Sequence, residues 1–262
     1  MNETSASRAD RAFDRAGPAP ADPASAPASA TGKVLVWDAP VRLFHWLMVA
    51  SFAGAWLTAE SERWRLPHLT LGYSMAGLVV FRIVWGLVGT RHARFSSFVR
   101  GPAAVLRHLG GLVRGRIADD RDAGGLSGSE HPVGHNPAGA VAILGLLALT
   151  LVIAASGWAT INDLGGEWLA AAHEFAAETM LALVALHLGG VLLGSWQQRE
   201  NLVGAMFSGY KTGRPEDGVR KAWRGLAALM AVAVLGFWAW QWQAAPVADL
   251  GAPSEASTRA DD

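Results

Sequence analysis

The 262-residue chain reads as an all-α integral membrane protein, and three observations carry that expectation. Hydrophobic residues make up 51% of the chain and charged residues only 17%, against roughly 25% charged in an average soluble protein. Five apolar segments follow one another, each near the ~20 residues that cross a ~30 Å hydrocarbon layer as a helix. Lys and Arg gather in alternate connections between those segments. Mean hydropathy is +0.23 even though the first thirty residues are polar, so the remainder is strongly apolar.

Residues 1–32 are rich in Ala, Pro and Ser and contain no apolar run. They lack the short hydrophobic core of a secretory signal peptide, so a retained, disordered cytoplasmic N-terminal tail is expected. The spans are placed at about 41–59, 68–89, 138–160, 170–196 and 222–242. A backbone in lipid must satisfy its own hydrogen bonds, so all five are read as helices. Between the second and third lies a cytoplasmic loop, 90–137, too long for a simple connector. Within it Arg100, Arg107 and Arg114 recur every seven residues, with Val105, Leu106, Leu109 and Leu112 between them. That pattern suits a basic helix lying on an anionic leaflet.

Orientation follows from the distribution of positive charge. The tail through Arg42 holds five Lys and Arg, the 90–137 loop seven, and the 197–224 segment six. The opposite side holds Arg63, Arg65 and Arg259, while Arg82 lies inside a span. Eighteen against three puts the N-terminus in the cytoplasm and the C-terminus outside. Trp37, Trp64, Trp168, Trp196, Trp223 and Trp242 fall near helix ends, where amphipathic rings settle at an interface. Net charge is zero, with 22 basic and 22 acidic residues, and no nucleic-acid partner is expected.

The chain has no cysteine. Disulfides, iron–sulfur clusters, thiolate zinc sites and covalently attached haem are thereby excluded. Of eight histidines, His92, His108, His131 and His135 fall in the cytoplasmic loop and need no special reason. His45, His68, His173 and His187 lie in or at the ends of spans, where an ionisable side chain needs one. The first span enters from the cytoplasm, so His45 is near the inner surface. His68 and His173 sit at the outer starts of the second and fourth spans. His187 follows His173 by fourteen residues, ~21 Å along the axis and within ~40° of the same direction. Depth therefore pairs His45 with His187 on the inside and His68 with His173 on the outside.

Two histidines facing one another across a bundle are what haem bound through both axial positions requires. Zinc normally takes three or four protein ligands, and no further ligand cluster accompanies either pair. Four unrelated histidines hydrogen-bonding across helices would not account for the matching depths. Arg82, fourteen residues past His68, lies level with the inner pair, where a haem propionate would supply the anion a buried guanidinium needs. Snorkelling to the inner headgroups is the competing reading for Arg82. Arg42, one turn before His45, is a second propionate candidate. Gly72, Gly77, Gly189 and Gly190 would let a flat macrocycle approach the backbone, although glycine is common at any membrane helix contact.

Several stretches resemble the bacterial cytochrome b561 and nickel–iron hydrogenase b-type cytochrome family. They are VWDAPVRLFHW (Val36 to Trp46), PHLTLGYSMAGLVVFRIVWGLVGTRHARFSSFVRGP, GHNPAGA, HEFAAETMLALVALHLGGVLLGS and RENLVGAMFSGYK. The likeness covers about residues 34–213. It implies an inner-membrane protein with two non-covalent, bis-His haem b groups in an antiparallel four-helix transmembrane haem-binding bundle. The ligands would be His45, His68, His173 and His187. The domain organisation expected is the tail at 1–32, a dihaem domain at 33–213, and 214–262 holding a fifth C-terminal transmembrane helix and a short periplasmic tail. The fifth helix has no histidine and is given no haem role.

The resemblance further implies electron transfer between the quinone pool and a redox partner, either a c-type cytochrome or a hydrogenase-like subunit. A self-contained quinone oxidoreductase of the superoxide-oxidase type is the alternative, and a haem-free transporter or scaffold a third. No catalytic residue is assigned. For a quinone site, Glu174, Glu178, Asp163 and Glu167 are the carboxylates near the outer pair, with Glu178 preferred as proton acceptor. Asp163 and Glu167 read as solvated interfacial charges. Arg63 and Arg65 are placed at the outer surface, to serve propionates, attract an anion such as superoxide, or simply meet the interface.

Overall fold

The computed structural model describes residues 31–97 and 137–244. The tail expected at 1–32, except its last two residues, the basic surface helix expected around Arg100 to Arg114, and the segment beyond 244 lie outside these. The described chain is mostly helical. It begins, however, with a short strand that hydropathy did not foretell: β1, Gly32–Leu35.

Helix α1, Ala39–Leu57, starts at Asp38, whose side chain accepts the Val41 N–H, with a proline in the first turn. An N-cap carboxylate followed by Pro suits the beginning of a helix, because it satisfies an orphan donor where proline lacks one. Thr58 closes α1 by donating its hydroxyl to the Gly54 carbonyl at 2.7 Å. Helix α2, Arg65–Val88, follows a single 3₁₀ turn and ends at Gly89. Helix α3 runs Pro137–Ile161 and helix α4 runs Glu167–Gln198. Their connection turns on Gly165 and Gly166, with φ of 98° and 73°, a region that glycine enters without steric cost. At 32 residues, α4 is ~48 Å long and exceeds the hydrocarbon thickness.

After α4 comes short helix α5, Leu202–Ser208, capped by Asn201 accepting from the Gly204 N–H. Strand β2, Tyr210–Gly213, then pairs antiparallel with β1 in the register Gly32↔Gly213 to Leu35↔Tyr210. Helix α6, Arg224–Ala244, closes the described chain.

Four helical segments are long and apolar enough to cross a membrane: Glu62–Val88, Gly139–Ile161, Glu167–Gln198 and Arg224–Ala244. Sequence reading expected five. The difference is α1, which forms over the expected residues but carries Arg42, His45 and Ser51 and so falls short in apolarity. The architecture is that of an all-α membrane protein with a small two-stranded strap.

The helices pack in the order α1 on α2, α2 on α3, and α3 on α4, with α6 against α1 and α2. Helix α2 is central. Met75, Leu78, Val79, Arg82, Trp85 and Gly86 are all buried along it, recurring every three or four residues as one helical face demands. Helix α6 is tied to α2 by the Trp238 indole N–H donating to the Ser74 hydroxyl at 2.7 Å. Ser74 passes its own proton to the Thr70 carbonyl.

The strap joins the start of α1 to the end of α5. Val36 and Trp37 both donate backbone N–H groups to the Gly209 carbonyl, and Val219 donates to Leu35. Buried Lys211 pairs with Glu200 at 3.2 Å, while Glu200 also accepts the Thr212 N–H. Trp37, expected at an interface, is instead buried with Val34, Val36 and Ala205. The strap draws it inward. Trp64, Trp168, Trp196, Trp223 and Trp242 are exposed near helix ends, where the sequence placed them.

Candidate functional site

Helices α2 and α4 bring His68 and His173 together, with ring centroids 6.3 Å apart and planes at 72°, an edge-on arrangement. His68 sits in the first turn of α2 and directs Nδ1 to the Ala55 carbonyl near the end of α1, at 2.9 Å. His173 directs Nδ1 to the Ile153 carbonyl on α3, at 3.0 Å, with the Ser156 hydroxyl 3.3 Å away. A carbonyl oxygen only accepts, so each Nδ1 carries a proton, and in a neutral ring the lone pair is then on Nε2. Both rings are thereby fixed in the tautomer that ligates through Nε2.

That separation has a chemical meaning. A metal–imidazole bond is about 2 Å long and the ring centre lies about 1 Å beyond the nitrogen, so two imidazoles on opposite faces of one metal stand ~6 Å apart. Residues and spacing therefore fit a haem held by two imidazoles. Among the described residues no group of three or more His, Cys, Asp or Glu gathers as a metal cluster.

Gly157 on α3 makes the approach possible. A Cβ there would lie 2.9 Å from His173 Cε1, too close for any side chain to be accepted without displacing the ring. The sequence points as well to Gly72, Gly77, Gly189 and Gly190 as places where a macrocycle could approach the backbone. At those four positions an added Cβ would meet nothing within 4 Å.

His45 and His187 come from α1 and the far half of α4, and they lie close enough to interact electrostatically. His45 meets Trp46 edge-on at 5.0 Å, and its buried Nδ1 has no hydrogen-bond partner. The continuous helix α4 sets His187 ~21 Å from His173 along the axis. The two pairs thus occupy two levels.

Arg82 is buried, 3% exposed, so its head does not reach outward. The guanidinium lies 5.0 Å over the Phe95 ring. Gly86 admits that ring, because a Cβ there would fall 2.2 Å from it. One guanidinium nitrogen, Nη1, is buried without a partner. Beside it stands a residue that sequence reading gave no role. Asp38, 1% exposed, accepts from the Val41 N–H, from the Trp85 indole at 3.0 Å and from the Thr90 hydroxyl at 2.6 Å. Asp38 is also near enough to act on the Arg82 charge. Its place in the stretch Asp-Ala-Pro before a helix was a cap signal; its partners 47 and 52 residues away left no local trace.

Arg42 donates Nη1 to the Phe207 carbonyl at the end of α5, while its Nε is buried without a partner. Glu174 and Glu178 are exposed on α4, and Asp163, Glu167, Arg63 and Arg65 are exposed around the adjoining turns. His92 is buried, its Nε2 donating to the Asp217 carbonyl at 2.7 Å. His108, His131 and His135 lie outside the described residues.

Neither curated proteins nor solved structures supply a match. The family model for prokaryotic cytochrome b561 matches residues 36–209, which takes in both histidine pairs, Asp38 and Arg82. The chain belongs to the prokaryotic cytochrome b561 family, the membrane b-type cytochromes of electron transfer.

Proposed function

We propose that this protein is a dihaem cytochrome that carries electrons across the bacterial inner membrane, between the quinone pool and a redox partner protein. One haem b is held by His68 and His173 and the other by His45 and His187. The observation that carries this reading is the opposed outer pair, 6.3 Å apart, with each Nδ1 committed to a backbone carbonyl. A haem held by these histidines would supply one-electron transfer.

The chain's own residues do the rest. Carbonyls 55 and 153 orient the outer imidazoles and raise their basicity. Arg82 offers Nη1 to a propionate at the inner level, and Arg42 holds its Nε free on the same side. Helix α1 completes a four-helix core with α2, α3 and α4, and α6 adds a fifth span. The excess of Lys and Arg supports a cytoplasmic N-terminus and a periplasmic C-terminus. Lipid surrounds the exposed apolar faces. The partner fits the class of a c-type cytochrome or a hydrogenase-like membrane subunit.

Glu178 is the proton acceptor we favour for quinol. It lies five residues past His173, roughly 140° round the helix from it, and is exposed one turn beyond the exposed Glu174. An intramembrane carboxylate needs a functional reason, and quinol approaching through lipid provides one. Glu178→Gln should slow reduction of the purified protein by quinol about a hundredfold, the usual scale of a lost general base, while dithionite still reduces it fully.

A second reading rests on Arg63 and Arg65, exposed beside the start of α2, which would attract superoxide to the outer pair. Reduction of the isolated protein by superoxide, with no added subunit, would favour a self-contained oxidoreductase over a partner-dependent carrier. The decisive experiment is the haem-to-protein ratio with reduced-minus-oxidised visible spectra. Two non-covalent haems per chain are expected. A colourless protein would leave only a haem-free transporter or scaffold.

A further inference from the structure

Asp38 is buried and accepts three hydrogen bonds, and the proposed function gives it no task. It is 1% exposed. Its Oδ1 accepts the Val41 N–H at 2.9 Å, and its Oδ2 takes both the Trp85 indole and the Thr90 hydroxyl. Three donors converge on this carboxylate in so dry a place, and a cationic neighbour suits it there, because an isolated buried charge is prohibitively costly.

The countercharge is at hand. Arg82 precedes Trp85 by three residues on α2, so the two side chains share a face. Trp85 touches Asp38, and Arg82 interacts with it through space. Phe81 and Trp85 stack at 6.1 Å, and Val41, Trp85 and Ala93 form one buried cluster. The start of α1 and the end of α2 are locked together there. Seven residues beyond Asp38 on α1 stands His45.

We infer that Asp38 is a positioning residue for the inner histidine pair: it clamps α1 to α2 and balances the buried Arg82 charge, leaving Nη1 of Arg82 as the open donor toward an acidic group of the bound cofactor. The inference rests on the proposed dihaem reading. It treats Asp38 and Arg82 as one unit of near-zero net charge, so removing either member exposes the charge of the other.

The sign is fixed by electrostatics. Reduction adds an electron, so loss of a nearby anion favours the reduced form and loss of a nearby cation disfavours it. In spectroelectrochemical titration of the full-length protein, Asp38→Asn should raise the reduced-to-oxidised ratio of one haem on the order of tenfold at fixed ambient potential. The haem affected is the one that His45→Ala removes; the other should not move. Arg82→Gln should lower the same ratio by a similar factor, and the double variant should return close to wild type. Trp85→Phe keeps the carboxylate, so it should lower the melting temperature without moving the ratio. Should Asp38→Asn fail to fold, Arg82→Gln and Trp85→Phe still make the comparison. Equal shifts at both haems, no shift at either, or a Trp85→Phe shift as large as that of Asp38→Asn would overturn the inference. A colourless wild-type protein would instead sink the dihaem reading on which it stands.

Discussion

His68 and His173 illustrate how much of a site one-dimensional spacing can carry. Their pairing was legible because each falls at the outer start expected for its span, the second and the fourth, and fourteen residues separate His173 from His187 on one continuous helix. What was not legible is the tautomer. That depends on the carbonyls of Ala55 and Ile153, which come from other helices. The same holds for Gly157, sixteen residues before His173 and across a turn from it. Two predictions belong at this scale. His45→Ala and His187→Ala should each abolish the same haem, while His68→Ala and His173→Ala should abolish the other, as read from residual α bands. If His45→Ala and His68→Ala removed the same absorption, the assignment by depth would be wrong. Gly157→Ala places a methyl group 2.9 Å from the His173 ring. It should therefore broaden or remove only the signals of the haem lost in His173→Ala, and a spectrum identical to wild type would contradict the close contact.

Among the elements, the helices were easier to anticipate than the strap. Long apolar runs announce themselves, and the ends of α2, α3 and α4 fall within a few residues of the expected limits. The strands GKVL and YKTG are four residues each, too short for a period of two to register, and they lie 175 or more residues apart in the chain. Their meeting is a tertiary event. It turns on Gly209, at φ 89°, whose carbonyl receives two N–H groups from β1's continuation. A Cβ on Gly209 would sit 2.7 Å from the Trp37 carbonyl and 2.9 Å from Leu35. Gly209→Ala should therefore cost about 2–3 kcal/mol, seen as a lower unfolding midpoint in detergent. An unchanged midpoint would show that the strap does not share in global unfolding.

At the scale of the molecule, composition made the membrane class plain, whereas α1 falls outside the four helices long and apolar enough to cross a membrane. A helix that brings Arg42, His45 and Ser51 into the bundle sacrifices apolarity for chemistry, so it scores below its neighbours. The proposed orientation has a direct test, because the chain contains no cysteine and single thiols report without background. A cysteine at Arg63 should react with an impermeant maleimide from outside intact spheroplasts, and one at Arg220 only after lysis. The reverse pattern would invert the topology and exchange the names of the two haem levels.

Because β1 opens the described fold and β2 is completed only after α4, the end of the bundle that carries His45 stays unlatched until residue 213 has been made. Helices enter the bilayer in chain order, and domains assemble as their parts emerge. His68 and His173 are both present once α4 begins, whereas the strap next to the start of α1 pairs only after β2 has followed α4. On the proposed dihaem reading, the outer site would therefore be complete in the chain before the strap beside the inner one could close.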